Sequence, residues 1–576
     1  MMLSNDKVIP MKKFEIAKIF TKMADLLELQ GVQWKPRAYR RAARSLESLQ
    51  ENIEDIWKRG ELKEIPGIGD ALAKKIEEYI QTGKIGTYEK LKKTIPDQIT
   101  ELMKIPGMGP KKAKRLYEEL GVTTIKQLEK AAKQHKIAQL TGFGPESEEN
   151  ILKGILLLKS TKSRYLIGDI WPLANGIVDK LRKNQYVTRV QYAGSLRRMR
   201  ETIGDIDILA TSPKPNKVMT YFTSLPEVME VLAKGSTKSS VILHTGVQVD
   251  LRIVKSESWG AALQYFTGSK QHNIHLRSIA IKKGYKLNEY GLFRDEESIA
   301  GKGEVEIYNK LGLDFIPPEL REDTGEITAA MENKLPSLVD YQDIKGDLHI
   351  HSTWSDGKNT IKEIAIKAKS LGYEYVCITD HSKRLKIAHG LDENRLTQQI
   401  EEINLLNKEI EGIRILKGCE VDILADGSLD IDNSILKQLD VVTASIHSVF
   451  KMNRKEMTER ITTALSNKFV NVLAHPTGRM IGKRPSYEVN LGELFTAAKK
   501  NNVHLEVNSF PDRLDLNDKL VREALKSKVK FSIATDAHNL SHFEYIRFGV
   551  AQARRGWAKP EDIINTHNLQ TILKLL

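Results

Sequence analysis

The sequence predicts a multidomain chain, α+β in its earlier part and α/β in its last, and three observations predict it. A glycine-hairpin repeat recurs between helical patterns over residues 10–160. Two aspartates, Asp205 and Asp207, alternate with Ile203, Ile206 and Ile208 in a β-like run. Ten of the 14 histidines lie in residues 347–576, several at the ends of strand-like runs that helical patterns separate. At 576 residues the chain exceeds what one hydrophobic core supports, so three or more domains are expected.

Composition narrows the class. No apolar run approaches a membrane span, and Met1 to Lys13 lacks an apolar h-region, so neither a membrane protein nor an exported one is expected. Cys377 and Cys419 are flanked by apolar residues, which predicts buried thiols in a reducing cytoplasm. Net charge is +14, from 89 basic and 75 acidic residues. Residues 1–160 carry 30 basic against 22 acidic residues, so much of the excess sits at one end, as a polyanion footprint would.

In that basic region Ile65-Pro-Gly-Ile-Gly-Asp-Ala-Leu-Ala-Lys-Lys-Ile76 recurs as Ile105-Pro-Gly-Met-Gly-Pro-Lys-Lys-Ala-Lys-Arg-Leu116. Leu140 to Ile151 is a weaker echo. Each copy reads as a helix stop, a two-glycine hairpin and an amphipathic helix. Gly67, Gly69, Gly107 and Gly109 let backbone N–H groups approach an anion at the next helix's N-terminus, where the dipole also favours it. The repeat resembles the helix-hairpin-helix motif, which implies a grip on DNA backbone phosphates without sequence reading, and the first two copies, which carry lysines, are read as DNA-binding. The third carries Glu146, Glu148 and Glu149, which repel phosphate, and is read as structural. Before the first hairpin, Trp34 to Arg44 is a basic helix start that includes Lys35 and Tyr39.

The next stretch is Gly194-Ser-Leu-Arg-Arg-Met-Arg-Glu-Thr-Ile-Gly-Asp-Ile-Asp207. A strand would project Asp205 and Asp207 to one face. Adjacent carboxylates repel unless cations sit between them, and hard oxygen ligands suit Mg²⁺ or Mn²⁺. Gly194 and Ser195 offer backbone N–H groups and a hydroxyl on a tight turn, and Arg197, Arg198 and Arg200 add positive charge, so a triphosphate cradle faces a metal pair. Asp250, in the alternating run Val247 to Val254, completes the carboxylate set from a neighbouring strand. Two such ions support in-line nucleotidyl transfer.

Residues 10–318 resemble a family X DNA polymerase of the DNA polymerase beta type. Tyr265-Phe-Thr-Gly-Ser-Lys-Gln-His-Asn-Ile-His-Leu-Arg277 and Leu287-Asn-Glu-Tyr-Gly291 extend the likeness. The resemblance implies that Tyr265, Phe266 and Gly268 pack against the incoming sugar. It places Asn273 and Arg277 at the nascent base pair and template minor groove, and Ser195, Arg198 and Gly204 at the triphosphate. Asp205 and Asp207 would hold both palm ions, and Asp250 the catalytic one. Ala193 stands where a glycine is common, which leaves the Gly-Ser turn intact. The family's front domain is in some members a 5′-deoxyribose-phosphate lyase with a Schiff-base lysine, and Lys75 falls on that position. Ala71 and Trp34 depart from the lyase pattern; Lys35 and Tyr39 match 5′-phosphate contacts.

Pro317-Pro318-Glu-Leu-Arg-Glu-Asp-Thr-Gly-Glu326 is polar, and Asn333 to Tyr341 has no clear periodicity. This stretch reads as a linker, and a flexible tether here would let two catalytic modules share one DNA end.

Beyond it, ligand-type residues punctuate strand ends: His349, His351, Asp356, His381, Glu420, His447, His475, Asp536 and His538. Alternating strands and helices imply a parallel sheet or barrel whose site forms at the C-terminal strand ends. Imidazoles mixed with carboxylates suit Zn²⁺, Mn²⁺ or Fe. The series resembles the PHP (polymerase and histidinol phosphatase) domain, and the resemblance makes these nine residues ligands of up to three ions, Mn²⁺ or Zn²⁺, that hydrolyse a phosphoester. His389, His504 and His542 fit no position in it.

The expected architecture is therefore a small helix-hairpin-helix domain (10–90), fingers with the second hairpin (91–160), a nucleotidyltransferase palm (161–260), a thumb (261–318), a linker (319–346) and a distorted (β/α)7 PHP barrel (347–576). The whole resembles the bacterial-type family X polymerases, which implies template-directed gap filling in DNA repair together with a 3′–5′ exonuclease that also serves abasic sites or blocked 3′ ends. Gapped or primer-template DNA and dNTPs are the expected partners, Mg²⁺ or Mn²⁺ the two palm ions, and a cytoplasmic monomer the expected state. A template-independent nucleotidyltransferase, a barrel acting as a small-molecule phosphatase, and a non-catalytic scaffold are the competing readings.

Overall fold

Successive helices with apolar faces build the front of the chain, and the computed structural model describes them within residues 12–30, 32, 34–48, 53–65, 67–94, 99, 102, 103, 105, 108–162 and 164–576. Lys12–Leu29 packs along Lys35–Ser48, burying Phe20, Met23, Ala42 and Leu46, while Arg40 reaches Asp25 (2.8 Å) and Glu28 (2.6 Å) across the pair. The first hairpin runs from a short 3₁₀ turn, Leu62–Glu64, into Asp70–Thr82. The second leads into Pro110–Leu120, with proline at the first helical turn, where its missing N–H is not needed. Both helices end on left-handed glycines, Gly83 and Gly121.

The chain falls into two compact units, Met1–Ser163 and Arg164–Leu576. The second begins with a five-stranded mixed sheet in the order Arg189–Tyr192, Ile206–Thr211, Gln248–Val254, Lys238–Leu243, Val228–Lys234. Only its second and third strands are parallel, and their register sets Asp207 opposite Asp250. Helices Trp259–Thr267 and Lys270–Lys282 follow, then a three-stranded antiparallel sheet over Lys286–Ala300.

Seven parallel strands in sequential order make the last part: Gly346–Ile350, Tyr375–Ile378, Arg414–Asp422, Val441–Ser445, Val472–Leu473, His504–Asn508 and Phe531–Ala534. A bridge between Ile350 and Ala537 brings the last strand's end to the first, so the sheet nearly closes into a barrel. Helices such as Ile361–Ser370 and Leu491–Lys500 start on side-chain caps from Thr360 and Asn490 and bury apolar faces on it. Cys377 and Cys419 are buried and unbridged. Among the described residues no helix is long and apolar enough to cross a membrane.

Residues 319–346 depart from the expected tether. Arg321 is fully buried, bound to Glu304 (2.6 Å) and the Ile316 carbonyl (2.9 Å). Glu319 pairs with Arg554 (2.8 Å), Glu322 with Arg555 (3.1 Å), and the Val339 amide donates to the Ala558 carbonyl (3.0 Å). The segment is a belt that binds palm, thumb and barrel into one unit. Its order comes from buried ion pairs together with scattered apolar anchors, Leu320, Ile327, Ala330, Val339 and Ile344, whose irregular spacing gives no period to read.

Candidate active sites

The palm cluster is made by two neighbouring strands and the turn before one of them. Asp207 lies on Ile206–Thr211 and Asp250 on Gln248–Val254, while Asp205 precedes its strand instead of lying on it. Gly194, at φ 60°, opens a one-turn helix directly over Asp207; a Cβ there would sit 2.4 Å from Asp207 Oδ2, so this approach requires glycine. The Ala193 amide donates to the Asp207 carbonyl (2.8 Å), fixing the turn to the strand. Burial, then Asp205 and Asp250, push the Asp207 carboxyl up to about 7. Burial and then Asp250 raise Asp205 as well. At Asp250 burial is outweighed by hydrogen bonds from Lys238 (2.7 Å), Gln248 (2.9 Å) and Ser240, and its carboxyl is lowered. A cluster that raises two of its own carboxyls is one that a cation relieves.

The thumb motif meets this turn. Arg198 pairs with Glu322 (3.0 Å), donates to the Thr267 carbonyl, and lies against Gly268. Its guanidinium is thus held by protein on this side of the turn, an anchoring that the sequence did not signal. Ser195 is half-buried beside it, and Gly204 immediately precedes Asp205. Tyr265 and Phe266 meet edge-on at 5.1 Å, and Arg252 covers the Phe266 ring at 4.5 Å. Asn273 is fixed by Gln264 and the Tyr265 carbonyl (both 2.7 Å), and Arg277, one turn later, donates to the Asn273 carbonyl (3.3 Å).

In the barrel the nine predicted residues converge. His349 is on the first strand and His351 just past its end; Glu420 lies two residues before the end of the third, His381, His447, His475, Asp536 and His538 fall just past strand ends, and Asp356 is in the turn after the first strand. Three overlapping groups bring their ligand atoms within 4.8 Å of one another: His351, Asp356, His381 and His538; His349, His351 and Asp536; and His381, Glu420 and His447. His475 joins through Glu420, at 3.0 Å. His475 and Asp536 take positive φ, 29° and 55°, uncommon for residues with a side chain. Among the described residues the palm aspartates form no group that tight.

Burial raises Glu420, but His447, His381 and His349 outweigh it and hold the carboxyl well below its usual range; Asp536 is held down likewise by His349 and His351. Burial lowers His447 and His538, yet their carboxylate neighbours outweigh it and lift both to about 9. His351, buried among His538 and His381, is lowered to about 3. Protons here balance carboxylates that cations would otherwise balance. His349 Nε2 and His351 Nδ1 are buried without hydrogen-bond partners, while His381 Nδ1 and Glu420 Oε2 lie 2.7 Å apart with no aligned hydrogen bond between them. Orphaned lone pairs gathered in one cage of nitrogen and carboxylate donors fit divalent metal.

Some residues of this site were not read from the sequence. Glu506, fully buried, faces His349 Nδ1 at 2.7 Å and accepts the His475 amide (2.6 Å). Asn508 bridges Glu506 and Asp536 (3.1 Å each), and Arg513 lies 3.4 Å from Asp536 Oδ2. Glu506 and Asn508 alternate within the apolar strand His504–Asn508, which was the available signal. Of the bystander histidines, His542 accepts the His538 amide at 3.2 Å yet joins no ligand group.

In the front unit, Gly67 has φ 85° and packs on Arg41, while Gly69 and Gly109 cap their helices; Gly107 lies outside the described residues. Lys75 donates to the Ala71 carbonyl of its own helix (3.1 Å). Lys35 is exposed, but Tyr39 is buried, its ring against Phe20 at 5.4 Å, so its bulk serves the core. Glu148 of the third hairpin turns inward and accepts the Ile137 and Ala138 amides (3.0 and 2.9 Å), which gives that hairpin a structural use for its acid.

Models of known families match four parts of the chain. These are a helix-hairpin-helix domain over residues 11–85, a SAM-like helix-hairpin-helix tandem over 59–120 and 99–155, a DNA polymerase beta thumb over 262–322 and a PHP domain over 347–510. The DNA polymerase/3'-5' exonuclease PolX of Bacillus subtilis (strain 168) is 40% identical over 567 residues, 98% of this chain and 99% of that one. The chain belongs to the PolX family. Two further relatives match a third of it: probable phosphatases of Thermoanaerobacter sp. (strain X514), 31% identical over 33% of this chain and 78% of its own, and of Acetivibrio thermocellus, 30% identical over 35% and 82%. PolX membership accounts for the presence of both carboxylate-rich sites in one chain.

Proposed function

We propose that the chain fills short gaps in DNA by template-directed nucleotidyl transfer at Asp205, Asp207 and Asp250, and removes nucleotides from 3′ ends at the histidine-rich barrel site. The observation that carries this reading is the coexistence, in one compact unit, of a strand register pairing Asp207 with Asp250 and a donor cage of eight residues that His475 joins through Glu420. The likeness to a relative named for both activities spans nearly the whole of both chains, which favours this reading over a free-standing phosphatase or a scaffold.

The three palm aspartates would hold two Mg²⁺ or Mn²⁺ ions, and His349, His351, Asp356, His381, Glu420, His447, His475, Asp536 and His538 up to three Mn²⁺ or Zn²⁺ ions. When bound, such ions supply Lewis acidity, toward the primer hydroxyl and triphosphate in the palm and toward water in the barrel. Gly194, Ser195 and Gly204 give the triphosphate a turn free of bulky side chains, with Arg198 adding charge. Tyr265, Phe266 and Gly268 limit the space at the sugar. Asn273 and Arg277, four residues apart on one helix, face the nascent pair and the template. The hairpin glycines and Lys35 hold DNA phosphates without reading sequence, so affinity falls with salt. Lys75 is the candidate Schiff-base lysine, and borohydride trapping on an incised abasic duplex, with Lys75→Ala as control, tests that role. The chain acts on gapped or primer-template DNA with dNTPs, as a cytoplasmic monomer.

The polymerase reading is tested on a duplex with a one-nucleotide gap, offered each dNTP separately. Incorporation of the complementary nucleotide alone, lost in Asp205→Ala, is expected. Equal addition to a primer without template would replace the reading with a template-independent transferase.

A further inference from the structure

Of the nine predicted barrel ligands, Asp356 stands farthest from a strand, in the turn over residues 352–357, and its side chain is 34% exposed. It is the carboxylate of the group His351, Asp356, His381 and His538, lying 3.4 Å from His538 Nε2, 3.7 Å from His381 Nε2 and 3.9 Å from His351 Nδ1. The other ligands take their places from the sheet. Asp356 depends on how its turn is held. Within the turn, the Ser355 and Gly357 amides donate to the Ser352 carbonyl (3.1 and 3.0 Å).

A second, fully buried carboxylate fastens that turn to the barrel. Asp380 accepts the Ser352 amide (2.8 Å), the Ser352 hydroxyl (2.6 Å), the Ser355 hydroxyl and the Gln399 side-chain amide (2.6 Å). Three of these four donors belong to the turn, and one of them comes from the residue next to Asp356. Asp380 also precedes His381, but His381 is placed by main-chain bonds. The Leu391 amide donates to the His381 carbonyl (2.7 Å), and the Ser382 amide to the Glu420 carbonyl (3.0 Å). The Asp380 side chain takes no part in either bond, so its reach is toward Asp356.

We propose that Asp380 is the positioning residue for Asp356 and governs one ion of the barrel separately from the others. The proposal rests on the reading of the barrel as a metal site. The other two donor groups, His349, His351 and Asp536, and His381, Glu420 and His447, contain no residue of the turn. Loosening the turn therefore weakens the ion held with Asp356 and leaves those two groups intact. Residues that orient a metal ligand typically change metal affinity by about 10–100-fold.

The test is calorimetric Mn²⁺ titration of the full chain in an Asp207→Ala background, which disables the palm pair. The parent is compared with Asp356→Ala, Asp380→Asn and Ser355→Ala. In Asp380→Asn either orientation of the new amide sets its NH₂ against an N–H donor, that of Ser352 or of Gln399. Asp380→Asn should match Asp356→Ala, with one Mn²⁺ ion weakened by about tenfold or more and the remaining ions bound as in the parent. Ser355→Ala should weaken the same ion by less. Parental Mn²⁺ binding in Asp380→Asn, folded by circular dichroism, would overturn the proposal, as would equal weakening of every ion. If Asp380→Asn does not fold, unchanged binding in Ser355→Ala overturns it. A parent that takes up no Mn²⁺ would overturn the metal reading of the barrel and the proposal with it.

Discussion

Glu420 and Asp536 stay ionised in a cage crowded with imidazoles, and that imbalance sets the barrel's response to pH. His447 and His538 are lifted from 6.5 to about 9 by the carboxylates beside them, against the effect of burial. Folded-state values above the unfolded one mean that the stabilisation they contribute is full below pH 6.5 and is lost as pH rises through about 9. In EDTA, the melting temperature should therefore fall more steeply between pH 6.5 and 9 in the wild type than in a His447→Gln, His538→Gln variant. Parallel curves would show that the two histidines carry no excess proton. Metal must displace the same protons, so apparent Mn²⁺ affinity rises over this window. Eight of the nine cage residues were legible because they stand at or near the end of an apolar strand run, and Asp356 because it follows His349 and His351 closely in sequence. Glu506, which positions His349, was not: it sits inside a strand, where an acid reads as a solvent-facing position.

The hairpins show which elements a pattern can and cannot describe. Their glycines and following helices stood in the sequence as a repeat, and the acidic third copy was separable from the basic two by charge alone. Charge did not say that Glu148 points inward. Its carboxylate accepts two backbone amides from residues 137 and 138, so Glu148→Ala leaves buried donors unpaired and should destabilise the front unit by about 1–3 kcal/mol while leaving the salt dependence of DNA binding unchanged. Thermal melts and binding isotherms at two salt concentrations measure this; a reduced salt slope with unaltered melting would instead make Glu148 part of the DNA surface. One strand is expected to carry both palm aspartates, but it starts at Ile206 and carries only Asp207. Asp205 lies before it, because the Gly204 turn and not the pleat brings this carboxylate to Asp207.

At the scale of the molecule, the polar stretch after Pro318 is a belt, not a tether. Arg555, 3% exposed, joins Asp518 (2.6 Å) and Glu322 (3.1 Å) and donates to the Arg198 carbonyl (2.7 Å), so one guanidinium ties barrel, belt and palm turn together. Such a hub is invisible in sequence, where its members lie from 37 to 357 residues from Arg555 and each is an ordinary charge. Removing it leaves Asp518 without its partner and Glu322 with only Arg198 and Arg200: Arg555→Ala should cost about 1–3 kcal/mol and lower the inactivation temperature of polymerase and exonuclease together. Loss of one activity alone would mean that palm and barrel unfold independently.

The central claim is that two separate sites act on one DNA end, one extending it and one shortening it. The direct measurement uses a 5′-labelled primer on a gapped template with Mn²⁺, first without and then with dNTPs, comparing wild type, Asp207→Ala and His349→Ala. The account predicts stepwise shortening lost only in His349→Ala and extension lost only in Asp207→Ala. Shortening that survives His349→Ala but vanishes in Asp207→Ala would contradict it, placing both reactions in the palm.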